Sequence, residues 1–148
     1  IAVYVQELPK TILDNFRWDV GLGSPIHSDL IKKIEACELK LISYSNEKST
    51  GFISAEKSKD SLNLLGFYVE TEFRSQGVGR FLFCKLILGA KIRGYKEIYI
   101  DDMLVGTRSI FFKLEKRFEK NPWLKFVWNV YYDSYGYERF WGRIKIEK

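Results

Sequence analysis

Apolar and polar positions follow two spacings along this chain, and turn-forming residues punctuate the segments they mark. Residues 2–6 (AVYVQ) alternate and predict a first strand, ended by Pro9. Residues 11–18 predict a short helix with Thr11 as N-cap and Asp14 three residues on. Gly21-Leu22-Gly23-Ser24-Pro25 reads as a loop. Ser28 or Asp29 then caps a helix through about residue 38, with Leu30, Ile31, Ile34 and Cys37 inward. Strands at 39–45 and 51–56 flank a polar hairpin loop, Asn46-Glu47-Lys48-Ser49-Thr50. A second polar turn, 57–61, leads into residues 62–69 (LNLLGFYV), an apolar and aromatic run of strand length. Residues 81–88 predict a largely buried helix that continues to about Ile92, with Gly94 as its stop. Residues 97–100 (EIYI) are the next strand, parallel to the previous one by the usual crossover rule. Residues 107–119 predict an amphipathic helix with Ile110, Phe111, Leu114 and Phe118 on one stripe. Residues 126–132 and 140–146 predict a closing antiparallel pair joined by 133–138.

The most informative stretch lies between the 62–69 strand and the helix after it. Residues 69–80 read Val-Glu-Thr-Glu-Phe-Arg-Ser-Gln-Gly-Val-Gly-Arg. Gly77 and Gly79 therefore sit where a strand turns into a helix. Glycines there let a ligand approach the backbone closely and leave N–H groups pointing outward. The helix start adds partial positive charge, and Arg74 and Arg80 add full charges, so a phosphate or pyrophosphate suits the turn. The spacing is not that of a Walker A loop, and nothing matches Gly-x-Gly-x-x-Gly, since Phe81 and Leu82 follow Arg80.

The pattern Arg74-x-x-Gly77-x-Gly79, led by Val69 and followed by Arg80-Phe81-Leu82, resembles the acetyl-coenzyme A motif of the GNAT superfamily of N-acyltransferases. The element order agrees with that fold over nearly the whole chain, while the motif itself is specific over residues 65–82. Thr71 stands where many members have a proline. Within the superfamily, Phe67-Tyr68-Val69-Glu70 with Arg80, Leu82 and Phe83 is faintly similar to the tubulin acetyltransferases. That likeness lapses after Ile100, where Asp102-Met103-Leu104 stands in place of Arg-Pro-Ser, so no substrate is carried over. The resemblance implies a single α/β (α+β) domain over residues 1–148. Its sheet would be mixed and mostly antiparallel, with one parallel splayed pair and helices on both faces. It also implies acetyl-coenzyme A as cosubstrate and a primary amine as acceptor: a protein lysine, a protein N-terminus or a small molecule.

On the same resemblance, a backbone N–H at Val69 polarises the thioester carbonyl, beside Phe67 and Tyr68. The diphosphate meets the backbone of Gln76, Gly77, Val78, Gly79 and Arg80, with Arg74 and Ser75 at the mouth of the turn. Many members donate a proton from a Tyr in the helix after the fifth strand. This chain has Ile110-Phe111-Phe112-Lys113-Leu114 there, so Tyr131, Tyr132 or Tyr135 would have to replace it, or the thiolate leaves without a dedicated acid. Base candidates are Glu70 and Glu72 after one strand and Asp101 and Asp102 at the end of the next. Ligands of open α/β sheets bind outside such strand ends. The plain alternative is that Glu70 and Glu72 pair with Arg74 or face solvent, and that an aspartate turns the loop.

Composition adjusts this picture only at the edges. The 148 residues suit one domain, and 46% hydrophobic with 16% aromatic residues is ample for a core. No apolar run reaches membrane-spanning length. The two cysteines, Cys37 and Cys84, read as buried free thiols and point to a reducing cytoplasm. The single His27 reads as a loop or helix-start residue, and no His/Cys/Asp group has metal spacing. The net charge of +5 suits a polyanionic cofactor and is compatible with nucleic acid without requiring it. An oligomer is equally compatible. Trp18, Trp123, Trp128 and Trp141, with Tyr131, Tyr132, Tyr135 and Tyr137, concentrate toward the C-terminus. They read as core or cleft wall, or as a stacking surface for a base or ring, with Lys125, Arg139 and Arg143 on phosphates. The competing function classes are a GNAT-fold module that binds without transferring and a basic aromatic nucleic-acid binder.

Overall fold

The computed structural model describes residues 1–19, 28–101 and 107–147. Its elements run β1 (Ala2–Tyr4), α1 (Lys10–Asp19), α2 (Ser28–Glu35), β2 (Leu39–Ser45), β3 (Lys48–Ser58) and β4 (Ser61–Val69). A short 3-10 turn at Thr71–Phe73 precedes α3 (Val78–Ile92), β5 (Glu97–Asp101), α4 (Thr107–Arg117), β6 (Leu124–Tyr132) and β7 (Glu138–Ile146). The strands form one seven-stranded sheet in the order β1-β2-β3-β4-β5-β7-β6. Only β4 and β5 pair in parallel; the other neighbours are antiparallel. This is the mixed, mostly antiparallel sheet with one parallel pair that the resemblance implies.

Strand alternation sorts the apolar side chains into two cores. On one face α3 and α4 cover the sheet, where Leu82, Phe83 and Leu86 of α3 and Phe111 and Leu114 of α4 meet Leu41, Ile53, Leu62, Phe67, Ile98, Ile100, Phe140 and Ile144. On the other face α1 and α2 place Ile12, Leu13, Phe16, Ile31 and Ile34 against Ile42, Phe52 and Tyr68. Among the described residues, that second cluster draws its strand members from β2, β3 and β4.

The feature that builds a site is the failure of β4 and β5 to stay together. They pair only from Ser61–Asn63 to Glu97–Tyr99. Just beyond, β4 carries a bulge: Ala55 faces Leu64 and Ser54 faces Gly66, leaving Leu65 as an extra residue. A bulge bends its strand and raises the local twist. The second half of β4, up to Val69, stays on β3 and leaves β5 behind. The result is a gap between two parallel strands at their carboxyl ends.

Several predicted boundaries shift. β3 begins at Lys48, so the expected five-residue loop is a two-residue turn with Asn46 at φ 49° and Glu47 at φ 71°. Both central residues left-handed is the geometry that matches strand twist in a tight hairpin. Thr11 is not the N-cap, because α1 starts at Lys10 and the Leu13 N–H donates to the Pro9 carbonyl at 3.3 Å. α2 stops at Glu35, short of residue 38; Cys37 lies in the following turn, its thiol donating to the Lys33 carbonyl. Cys37 and Cys84 are both free, Cys37 buried and Cys84 half-buried. Among the described residues, no helix is long and apolar enough to cross a membrane. His27 lies outside the described residues.

Candidate active site

Two backbone features converge on the gap. The Glu70 N–H donates to the Thr50 carbonyl at 2.8 Å, continuing the β3–β4 ladder. Antiparallel pairing alternates, so the Val69 N–H and carbonyl point away from β3, toward the gap. The Val69 carbonyl accepts from Nε of Arg74 at 2.9 Å. Beyond Arg74 the chain reverses through Ser75 at φ 63° and Gly77 at φ 86° and enters α3. The first N–H bonded within α3 is that of Phe81, to the Gly77 carbonyl at 3.0 Å. The N–H groups of Val78, Gly79 and Arg80 precede it and have no helical partner, and Gly77 offers no side-chain cap. Three orphan donors at the positive end of a fifteen-residue helix form an anion seat.

The two glycines serve different needs. Gly77 supplies the left-handed turn, and a Cβ there would meet only the tip of Arg80 at 3.7 Å. Gly79 lets the start of α3 lie directly on its neighbours, since a Cβ would come within 2.8 Å of Ile110 Cδ1 and 2.9 Å of Phe67 Cζ. Phe67 is therefore floor: buried, and edge-on to Phe83 with ring centres 5.1 Å apart. Ser75, Gln76 and Arg80 are exposed, and Nε2 of Gln76 donates to the Glu72 carbonyl.

On the opposite face of β4, side chains from α1 hold the same corner. Asn15 and Asp19, one helical turn apart, point at it together. Nδ2 of Asn15 lies 3.1 and 3.0 Å from the two carboxylate oxygens of Glu70, donating across both. One oxygen of Asp19 accepts from the Tyr68 hydroxyl at 3.0 Å, from Arg74 Nη2 at 2.7 Å and from the Thr71 hydroxyl at 3.4 Å. Burial, and then the bond to Asp19, pushes the Tyr68 hydroxyl up to about 12, so it stays protonated as a donor. Arg74 also lies over the Tyr68 ring at 5.6 Å. Its guanidinium is thus turned to α1 and to Val69 rather than outward from the glycine turn.

The remaining candidates separate. Glu72 is exposed and ion-paired with Lys48, not with Arg74. Asp101 ends β5 opposite Trp141, and its carbonyl accepts from the buried Thr107 hydroxyl at 3.0 Å, tying α4 to the strand end. Asp102 lies outside the described residues. Tyr131 sits on β6, the outer edge, opposite Arg139. Two strand spacings separate β6 from β5, about 10 Å at the usual interval, and the gap between β5 and β4 adds to the distance. Tyr132 shares that edge, and Tyr135 is exposed in the hairpin beyond it. The buried residues of α4 are Thr107, Phe111 and Leu114. Among the described residues no group of three or more His, Cys, Asp or Glu side chains could hold a metal.

Asn15 and Asp19 were not singled out from sequence. Their one signal is two polar residues four apart on a helix that buries Ile12, Leu13 and Phe16.

The splayed parallel pair, the bulged β4 and the glycine turn into α3 define the fold of the GNAT N-acetyltransferases, and comparison with solved structures shows this chain to have that fold. An aminoglycoside 6′-acetyltransferase type Ii matches with a TM-score of 0.73 and 18% identity over 100% of this chain and 98% of its own. An aminoglycoside 6′-N-acetyltransferase crystallised with coenzyme A matches at 0.70 and 16%, over 100% and 98%. A ribosomal-protein-alanine N-acetyltransferase from Brucella melitensis matches at 0.65 and 15%, over 99% of each chain. At these identities the likeness establishes the fold. By sequence alone the chain matches no family model and no curated protein.

Proposed function

We propose that this protein is an N-acetyltransferase, one domain that moves an acetyl group from acetyl-coenzyme A to a primary amine. The observation that carries the reading is the pairing of the two backbone donors: the Val69 N–H on the gap edge and the orphan N–H groups that open α3. Solved structures of the same fold include two crystallised with coenzyme A. Acetyl-coenzyme A supplies an activated acetyl thioester when bound. Val78, Gly79 and Arg80 would hold its diphosphate through backbone N–H groups, and the charge on exposed Arg80 would add to that seat. The Val69 N–H would polarise a carbonyl placed in the gap, a role worth several kcal/mol when such a donor is preorganised.

Glu70 is the residue we assign to proton acceptance, acting through water. An amine of the lysine type has an ordinary pKa near 10.4, so only about one in a thousand is neutral at pH 7. A carboxylate held still by Asn15 can take the proton as the amine attacks. Glu72 is spent on Lys48 and exposed, and Tyr131 is about two strand spacings beyond β5, with the gap still to cross to β4. We therefore assign no dedicated acid, and the departing thiolate takes its proton from solvent. The acceptor belongs to the amine class: a protein lysine, a protein N-terminus or a small molecule.

Titration calorimetry with acetyl-coenzyme A tests the binding step, and thiol release with a panel of amines tests transfer. Binding with turnover on at least one amine supports the reading. Binding with no turnover on any amine would leave a non-catalytic module, and no heat at millimolar ligand would end the functional inference.

A further inference from the structure

The sheet has a face that the proposed chemistry does not use. Among the described residues, α1 and α2 build their apolar cluster over β2, β3 and β4, with no residue from β5, β6 or β7. On β5, β7 and β6 the residues that alternate with the α3/α4 core point to that same side. They are Glu97, Tyr99 and Asp101 on β5, then Arg139, Trp141, Arg143 and Lys145 on β7. On β6 they are Lys125, Val127, Asn129 and Tyr131. Tyr131 is 43% exposed, Lys125 and Arg143 are exposed, and Tyr99, Trp141, Arg139 and Lys145 are half-buried.

The strand register arranges these side chains. Tyr99 faces Arg143, Asp101 and Asn129 face Trp141, and Tyr131 faces Arg139. Trp141 is thus the diagonal neighbour of both tyrosines. The rings Tyr99, Trp141 and Tyr131 step diagonally across three strands, about 7–8 Å apart at the backbone. Cations fill the positions between them. Arg143 lies over Trp141 at 5.3 Å and reaches Glu97 at 3.7 Å. Lys145 lies between Lys125 of β6 and Glu97 of β5 in one cross-strand row, so that row carries two cations and one carboxylate. Among the described residues of β5, β6 and β7 on this face, the cations Lys125, Arg139, Arg143 and Lys145 outnumber the carboxylates Glu97 and Asp101.

We propose that this face binds single-stranded nucleic acid. Bases would stack on the diagonal of rings, and the backbone phosphates would meet Lys125, Lys145 and Arg139. Charge alone would suit any polyanion. The interleaved rings favour a chain that carries a flat ring at each step, because every base has a π-face to stack. The proposal does not rest on acetyl transfer, since it uses neither the gap nor the glycine turn.

Fluorescence anisotropy of a labelled single-stranded twelve-nucleotide oligouridylate, with oligothymidylate beside it, tests this on the whole chain. Binding of either is expected, with a salt slope of about −2 for three phosphate contacts on a single strand. Affinity should then fall about 20-fold between roughly 50 and 200 mM salt. Tyr131→Ala should weaken binding about tenfold or more by removing one stacked base. Lys125→Glu should weaken it, while Lys33→Glu, the same charge change on exposed Lys33 of α2, should leave it unchanged. Thermal melts of each variant confirm folding, and these three positions are exposed. No anisotropy change at millimolar protein overturns the proposal. So does equal loss from Lys33→Glu and Lys125→Glu, which would mean diffuse attraction. A glutamate twelve-mer competing as well as the oligonucleotides would overturn it too, leaving a surface for acidic peptides.

Discussion

The chain treats the two sides of Val69 differently. Toward α3 it offers backbone: the orphan N–H groups of Val78, Gly79 and Arg80, exposed by a left-handed Gly77. Toward α1 it offers side chains: Asn15 on Glu70, and Asp19 on Tyr68, Thr71 and Arg74. The first side is made from residues 76–81, next to one another in sequence. The second joins residues more than forty positions apart. A backbone site needs glycines and a helix start, and tolerates most side-chain changes around it. A side-chain site depends on single atoms, and its parts exist only when two distant elements dock. Arg74 belongs to both, lying in the turn by sequence and bonding to Val69 and Asp19 by contact.

The glycines should break the backbone side outright. At Gly77 there is room for a side chain but a φ of 86°, so Gly77→Glu costs about 1–2 kcal/mol of stability. Its carboxylate would lie at the anion seat, and acetyl-coenzyme A affinity should fall more than 100-fold by calorimetry. Gly79→Val fails differently. Its side chain would collide with Ile110 and Phe67, an overpacking that typically costs about 1–3 kcal/mol, seen as a lower urea midpoint. If Gly77→Glu bound the cofactor normally, the phosphate seat would be elsewhere.

On the side-chain face, Glu70→Gln is the sharpest change. The amide keeps a carbonyl oxygen for Asn15 while losing the basic site. General-base help is typically worth 10²–10⁴-fold, so turnover at neutral pH should fall about 100-fold with cofactor affinity unchanged. Raising the pH should narrow the deficit, because more of the acceptor amine is already neutral. An unchanged rate and pH profile would mean that the site works by holding a neutral amine in place.

How much of this was legible in the sequence follows the same division. The element order, the parallel pair and the glycine turn were readable because each is written in consecutive residues. The apolar and aromatic run of β4, the Gly77-x-Gly79 spacing and the stripe Ile110, Phe111 and Leu114 are of this kind. Boundaries were less so. Glu47 in a left-handed turn is unfavourable by itself and is imposed by the strands that close on it. Leu65 gives no sign that it is the extra residue of a bulge, since the bulge is a relation between β3 and β4. Arg74 reads as a phosphate ligand beside two glycines, yet its position is set by Asp19, fifty-five residues away. Trp141 and Tyr131 read as an undifferentiated aromatic tail until the register puts them on one face with Arg139.

Asp19 tests whether the two sides communicate. Asp19→Ala leaves Arg74 Nη2 and the Tyr68 hydroxyl without their acceptor. Losing the bond to the buried Tyr68 should cost about 1–2 kcal/mol, since the other donors are exposed and can turn to water. If Asp19 holds the corner through Arg74, the double variant with Arg74→Ala should be no worse than Asp19→Ala alone in acetyl-coenzyme A affinity. Simple additivity of the two losses would show that the contacts act separately.

Tyr68 carries the smallest effect and the most specific one. Its ring is buried against Phe16 and Phe52, and its hydroxyl is bonded to Asp19. Tyr68→Phe keeps the ring and should lose only about 1 kcal/mol at neutral pH, the usual worth of one hydrogen bond. The informative measurement lies in alkali. An unfolded tyrosine loses its proton near pH 10, whereas the folded Tyr68 holds it until about pH 12, so the folded state binds the proton more tightly. Stability from this group is complete below pH 10 and is lost as pH rises from 10 to 12. The phenylalanine variant has nothing to titrate there. Urea unfolding of both proteins across that window should show the wild-type advantage shrinking, and then reversing, because the unfolded tyrosine ionises there while the folded one keeps its proton. A constant difference from pH 8 to 12 would mean that Tyr68 ionises as easily when folded as when unfolded, and that the α1 corner is open to water.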